Sequence, residues 1–210
     1  MKINIKNLGK RFNREWIFKN LDHEFVVGRS YAITGANGSG KSTLLQVISG
    51  AMIYNEGSIH YYDNDTPVAE QDIFKFISIT APYFELVEEM TLSEFLSFHS
   101  HLKSWLPGMS SELIISILGL ENASNKQLRY FSSGMKQRVK LAQAIFSNVP
   151  VLLLDEPATN LDNDGIALYH QLINRYCKKR LLIISSNDKQ EYEFCDETID
   201  MMNIKMVTQY

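Results

Sequence analysis

The stretch Gly35-Ala36-Asn37-Gly38-Ser39-Gly40-Lys41-Ser42-Thr43 decides how this chain must fold. Its spacing, Gly-x4-Gly-Lys-[Ser/Thr], is that of a phosphate-binding loop, and the pattern carries weight only between a strand and a helix. Both neighbours qualify: Ser30-Tyr31-Ala32-Ile33-Thr34 reads as a short strand and Thr43-Leu44-Leu45-Gln46-Val47-Ile48 as a helix. Glycines let the backbone wrap a phosphate with its amide N–H groups turned inward, a path that Cβ atoms obstruct. The helix adds the positive end of its dipole at the same place. Lys41 is then expected to reach the β- and γ-phosphates of a nucleotide, and Ser42 to set its hydroxyl on Mg2+.

A strand that feeds such a loop needs parallel partners. Val151-Leu152-Leu153-Leu154-Asp155, an aliphatic run ending in an acid, reads as a buried parallel strand with its carboxylate at the C-terminal edge. Leu181-Leu182-Ile183-Ile184-Ser185 reads as another. Helices are expected from Ser132 to Phe146 and from about Asp164 to Cys177. On the N-terminal side, Ile3, Ile5 and Leu8 mark an opening strand, followed by strands over Phe18–Val27, Ser58–Tyr62 and Phe76–Thr80, the last ending before Pro82. Asp63 to Pro67 has the composition of a loop. Alternating strands and helices imply an α/β fold, a mostly parallel sheet covered on both faces, with ligands at the carboxyl ends of the strands. The phosphate loop and Asp155 both belong to that edge.

Between these halves the pattern turns helical. Thr91-Leu92-Ser93-Glu94 is a capping box, and Phe95, Leu96, Phe98, His99 and Leu102 form a stripe behind it. Pro107-Gly108 breaks that helix, and Ser110 or Ser111 can cap a second one that stops at Gly119. The expectation is a single domain: an α/β core of 1–82 and 131–210, with a helical lobe of about 84–130 inserted in it.

Composition narrows the function classes. A chain of 210 residues suffices for one domain with a lobe, and a net charge of −3 argues against a general nucleic-acid binder or a polybasic membrane anchor. Met1-Lys2-Ile3-Asn4-Ile5-Lys6 has no signal-peptide core, and no run approaches the ~20 apolar residues of a membrane span. A cytoplasmic location is expected, with any membrane contact made through a partner. Cys177 and Cys195 lack CxxC spacing and read as reduced thiols. Three features read as plain surface or packing: His99 and His101 as a partly exposed helix face, Tyr54, Tyr61 and Tyr62 as the sheet rim, and Lys178-Lys179-Arg180 as a solvated helix end.

Taken in order, the motifs make this chain resemble the ATP-binding-cassette (ABC) ATPases over essentially its whole length. Gly35–Thr43 stands as the family's Walker A segment. Phe131-Ser132-Ser133-Gly134-Met135 stands in place of its LSGGQ signature, and Leu152-Leu153-Leu154-Asp155-Glu156-Pro157 as Walker B. Ala158-Thr159-Asn160-Leu161-Asp162 is similar to its D-loop. The resemblance implies a P-loop NTPase fold of the ABC type, with an antiparallel β portion near the N-terminus. It implies ATP bound by Gly35 to Thr43 with Phe12, or alternatively Trp16, stacked on adenine. Mg2+ would be held by Ser42 and Asp155, and the attacking water polarised by Glu156. Two cassettes, identical or not, would pair head to tail, so that Ser132, Ser133 and Gly134 meet the partner's ATP and Asp162 lies near the dimer contact. The implied function is the ATP-hydrolysing subunit of a transporter whose membrane-spanning subunit is a separate chain; no nucleic-acid partner is expected. The alternatives are a soluble ABC ATPase outside transport and a weakly catalytic cassette paired with a better one.

The resemblance also has gaps. The family carries a glutamine at the end of the strand before the helical lobe, where this chain has Ala81 or Pro82, neither able to ligate metal. Gln71 lies before the strand and substitutes poorly. After the last buried strand the family places a switch histidine; here stands Asn187, which can donate to a γ-phosphate but cannot carry a positive charge. Losing one transition-state hydrogen bond costs ~10²–10³ in rate, so firm Mg-ATP binding with slow hydrolysis is expected.

Overall fold

The two aliphatic runs set the architecture. β7 (Val151–Asp155) and β8 (Leu181–Ser185) are buried at every position. Successive side chains of a strand point to opposite faces, so both faces must be covered. Leu152, Leu154, Leu182 and Ile184 join one core cluster, and Val151, Leu153, Leu181 and Ile183 the other. Each such aliphatic side chain contributes roughly 1.5–3 kcal/mol by leaving water.

The structure, a computed structural model, describes residues 1–206; residues 207–210 of the expected core segment lie outside the described residues. Five parallel strands run in the order β6 (Ile77–Thr80), β7, β8, β3 (Ser30–Thr34) and β9 (Glu197–Asp200). An antiparallel sheet pairs β2 (Glu15–Val26), β1 (Lys2–Phe12), β4 (Glu56–Asp63) and β5 (Thr66–Val68) in that order. Helix α1 (Lys41–Ile48) packs its buried Leu44, Leu45, Val47 and Ile48 into the cluster shared with the antiparallel sheet. The opposite cluster takes α4 (Ser133–Ile145) and α5 (Asn163–Tyr176), together with α2 (Leu92–Leu102) and α3 (Ser111–Ile117). Two short helices, α6 (Lys189–Tyr192) and α7 (Met201–Met206), flank β9.

The Thr91 capping box forms in full. Its hydroxyl accepts from Glu94 N–H at 3.3 Å, and its own N–H donates to Glu94 Oε2 at 2.8 Å. Of the two serines before α3, Ser110 is the cap.

Four surface or loop expectations are corrected. Arg180 is not at a solvated helix end: it is 7% exposed and donates to the carbonyl oxygens of Ile145, Ser147 and Val149. It thereby gives side-chain donors to backbone carbonyls at and just after the end of α4; of the three residues, only Lys178 and Lys179 are exposed. His99 is buried, stacked on Trp105 at 4.8 Å and bonded to Ser147 Oγ at 2.9 Å, while His101 is exposed as expected. Burial pushes the His99 imidazole down to about 4. Tyr61 is interior rather than rim, donating to Ile48 O at 2.8 Å. Thr66 and Pro67 belong to β5, because Asn64 and Asp65 alone make the turn at positive φ. Proline is tolerated there because β5 is an edge strand.

Candidate nucleotide site

The sheet's carboxyl edge assembles the site. Register places Asp155 beside Ser185, and Ser185 beside Ile33, one residue before the end of β3. The phosphate loop is held by close backbone packing. Gly40 caps α1 at φ 104°, and a Cβ there would meet Ile17 Cγ2 of β2 at 2.4 Å. Both the left-handed backbone and the space demand glycine. Lys41 Nζ donates to Gly35 O at 2.8 Å and Ala36 O at 3.4 Å, which keeps its ammonium over the loop. Ser39 Oγ is buried and has no hydrogen-bond partner among the described residues, leaving its capacity for a phosphate.

Asp155 is 1% exposed, and its Oδ1 also has no hydrogen-bond partner among the described residues. Burial pushes this carboxyl above its ordinary range, opposed by the hydroxyls of Ser42 and Ser185 and by the Lys41 ammonium. A buried carboxylate oxygen without a donor, facing a serine hydroxyl, fits a cation. No group of three or more His, Cys, Asp or Glu is arranged around a metal among the described residues.

Glu156 follows with φ 44°, a left-handed conformation that costs a non-glycine residue on the order of 1–3 kcal/mol. The turn is pinned by Glu156 N–H to Ser185 O at 2.8 Å and Thr159 N–H to Glu156 O at 3.2 Å. Gln137, buried in α4, adds a bond to Pro157 O at 2.7 Å. Asn187 donates through Nδ2 to Asn37 Oδ1 at 2.8 Å, tying the segment after β8 to the phosphate loop. Asn37, Glu156, Thr159, Asn187 and Glu191 share one open cleft of about 310 Å³.

After β6 the chain has Ala81, buried, and Pro82, whose carbonyl accepts from Lys140 Nζ of α4 at 2.9 Å. The next residue, Tyr83, takes a hydrogen bond from Gln46 of α1, Nε2 to Oη 2.8 Å. Burial, with the Asp155 charge adding to it, raises the Tyr83 phenol above its usual range. Lys136 of α4 also pairs with Glu88. The segment is therefore tied to both the phosphate-loop helix and α4.

Ser132 caps α4 through Met135 N–H at 3.2 Å. Ser132, Ser133 and Gly134 face a separate cleft of about 560 Å³, shared with Asn160 and Asp162. Gly134 lies so close to the D-loop that a Cβ would stand 3.1 Å from Asn160 O. Asp162 caps α5 through Gly165 N–H at 2.8 Å and pairs with Arg138 at 3.2 Å. The Gly165 N–H holds its carboxyl below the usual range.

Phe12 ends β1 and is 46% exposed, with Lys10 Nζ 4.9 Å from its ring centre. Trp16 is half-buried, its ring against Gly9 and Lys19. Phe12 thus has the freer face. Ile17, Gln46, Tyr83, Ser185 and Glu191 escaped sequence reasoning. None belongs to a spacing pattern, and only Glu191 left a trace, an acid one helical turn beyond Asn187.

A P-loop sheet edge with an aspartate-glutamate strand end, and a capped helix facing a second cleft, defines an ATP-binding cassette ATPase. The family described as ABC transporter matches residues 18–159. YybJ of Bacillus subtilis (strain 168), described as an uncharacterized ABC transporter ATP-binding protein, is 32% identical over 214 residues, covering 98% of this chain and 95% of the relative. SrtF, a lantibiotic transport ATP-binding protein of Streptococcus pyogenes, is 31% identical over 197 residues, covering 91% and 82%. The fold matches the dimeric post-hydrolysis structure of the ATP-binding cassette MJ0796 bound to ADP and Pi. The TM-score is 0.79 at 24% identity, over 94% of this chain and 93% of that one. This chain belongs to the ABC transporter family, as an ATPase subunit that binds ATP. Among the described residues no helix is long and apolar enough to cross a membrane.

Proposed function

We propose that this subunit hydrolyses Mg-ATP at a site shared by two cassettes and thereby drives a membrane-spanning subunit on a separate chain, from the cytoplasmic face. The supporting observation is the convergence of three distant segments on one sheet edge, with the Asn187–Asn37 bond closing the cleft beside Glu156.

The phosphate-loop amides and Lys41 hold the triphosphate, and Phe12 stacks on the base. Ser42 and Asp155 would hold Mg2+, which would neutralise phosphate charge when bound. Glu156 takes a proton from the attacking water as that oxygen bonds to the γ-phosphorus and ADP departs. Asn187 donates its amide to the γ-phosphate, and a second cassette contributes its Ser132 hydroxyl with the N–H groups of Ser133 and Gly134. The segment 84–130 acts as a lobe that carries motion to the membrane subunit. Phe74, Tyr83, Phe84, Val87, Phe98 and Leu102 are exposed on and around it, an apolar surface suited to such a partner.

Steady-state hydrolysis of Mg-ATP, with the membrane partner and without it, tests this reading. Wild type should turn over slowly, and Glu156→Gln should fall about 10²–10³-fold below it with nucleotide affinity retained. Equal rates for the two proteins would remove Glu156 from the chemistry and leave an ATP-gated binding module.

A further inference from the structure

One buried acid in the catalytic cleft has no part in the mechanism above. Glu191, on α6, is 4% exposed. Its Oε1 accepts from the Ala158 N–H at 2.6 Å, and its Oε2 is buried with no partner among the described residues. Tyr169 of α5 donates to its backbone carbonyl at 2.7 Å, and Asp188 caps the helix that carries it. Burying a carboxyl is costly unless it holds something. What this one holds is the amide two residues past Glu156, inside the turn whose φ at Glu156 is strained.

We propose that Glu191 is a positioning residue for hydrolysis: its carboxylate, through the Ala158 N–H, fixes the turn that presents Glu156, and fixes it most firmly when ionised. The inference rests on the reading of Glu156 as the base. An ionised acceptor makes the bond charge-assisted, roughly twice as strong as a neutral one.

The surroundings let that charge change near neutrality. Burial is the main influence raising the Glu191 carboxyl, with Asp188 and Glu156 adding to it. The Ser186 hydroxyl and the Ala158 amide oppose it, and the outcome is about 7. Tyr169, the polar group facing it from α5, is itself pushed far up by burial and stays neutral. Asn187, in the same cleft, cannot titrate. Glu191 therefore supplies a pH response that the histidine of the family pattern does not provide here.

The test is kcat and KM for Mg-ATP between about pH 6 and pH 8.5 for wild type, Glu191→Gln and Glu191→Leu. Glutamine keeps the volume and an acceptor for Ala158 but cannot ionise. Wild-type kcat should rise about 5–10-fold with a midpoint near 7, while Glu191→Gln stays at the low-pH wild-type level throughout. KM should remain within about twofold, since the phosphate loop is untouched. Glu191→Leu, which lacks the acceptor, should lie below Glu191→Gln at every pH; if it does not fold, the glutamine variant decides alone. Titration of ATP itself is common to all three proteins and cancels in their ratio. The proposal is overturned if wild type has no limb near 7, if Glu191→Gln keeps that limb, or if kcat and KM move together. An active Glu156→Gln would instead sink the assignment of the base, whatever Glu191 does.

Discussion

The loop after β3 and the segments after β6 and β8 border the same nucleotide site, yet they are built differently. The first has the groups proposed to bind phosphate: glycines where the backbone demands them, Lys41 over the loop, and Ser42 opposite Asp155. The other two depart from the family pattern. Where a glutamine and a histidine are usual, the structure has Ala81 or Pro82, followed by Tyr83 bonded to Gln46, and Asn187 bonded to Asn37. On the proposed reading, nucleotide affinity and turnover thus lie in separate pieces of chain. A sequence can relax one while holding the other.

That separation is open to attack from both sides. The largest expected effect is Lys41→Ala, which removes the charge over the loop. Mg-ATP affinity measured by calorimetry should weaken about 100-fold or more, near 2.7 kcal/mol. Asn187→Ala, in the same cleft, should change affinity by less than about threefold; a comparable loss in both would erase the distinction. A smaller effect follows from cutting the link between the phosphate-loop helix and the segment after β6. Gln46→Leu removes the donor to Tyr83 and should lower kcat about 3–10-fold with affinity kept, the cost of one ordinary hydrogen bond. If affinity falls instead, that bond supports the loop rather than the turnover machinery.

Legibility followed the same division. The phosphate loop, the two aliphatic strands and the Thr91 capping box each depend on local spacing, which one stretch of sequence displays in full. The groups that were misread depend on distant neighbours. Arg180 looks like part of a solvated cluster until the chain after α4 brings three carbonyls within reach of its guanidinium. His99 looks half exposed until Trp105 closes over it. Glu191 and Tyr83 take their partners, Ala158 and Gln46, from 33 and 37 residues away. β9 and α7 were missed because each spans only a few residues, too short to show a period. Met201 of α7 nevertheless packs against the phosphate-loop glycines.

Asn187→His tests the separation of binding from turnover most directly, with Mg-ATP Kd and kcat measured on the same preparation. A histidine there restores a side chain able to carry positive charge toward the γ-phosphate, while leaving Gly35–Thr43 and Asp155 unchanged. The account predicts kcat raised about tenfold, some 1.4 kcal/mol off the barrier, with Kd within about twofold of wild type. An unchanged kcat, or a Kd that shifts as much as kcat, would contradict it.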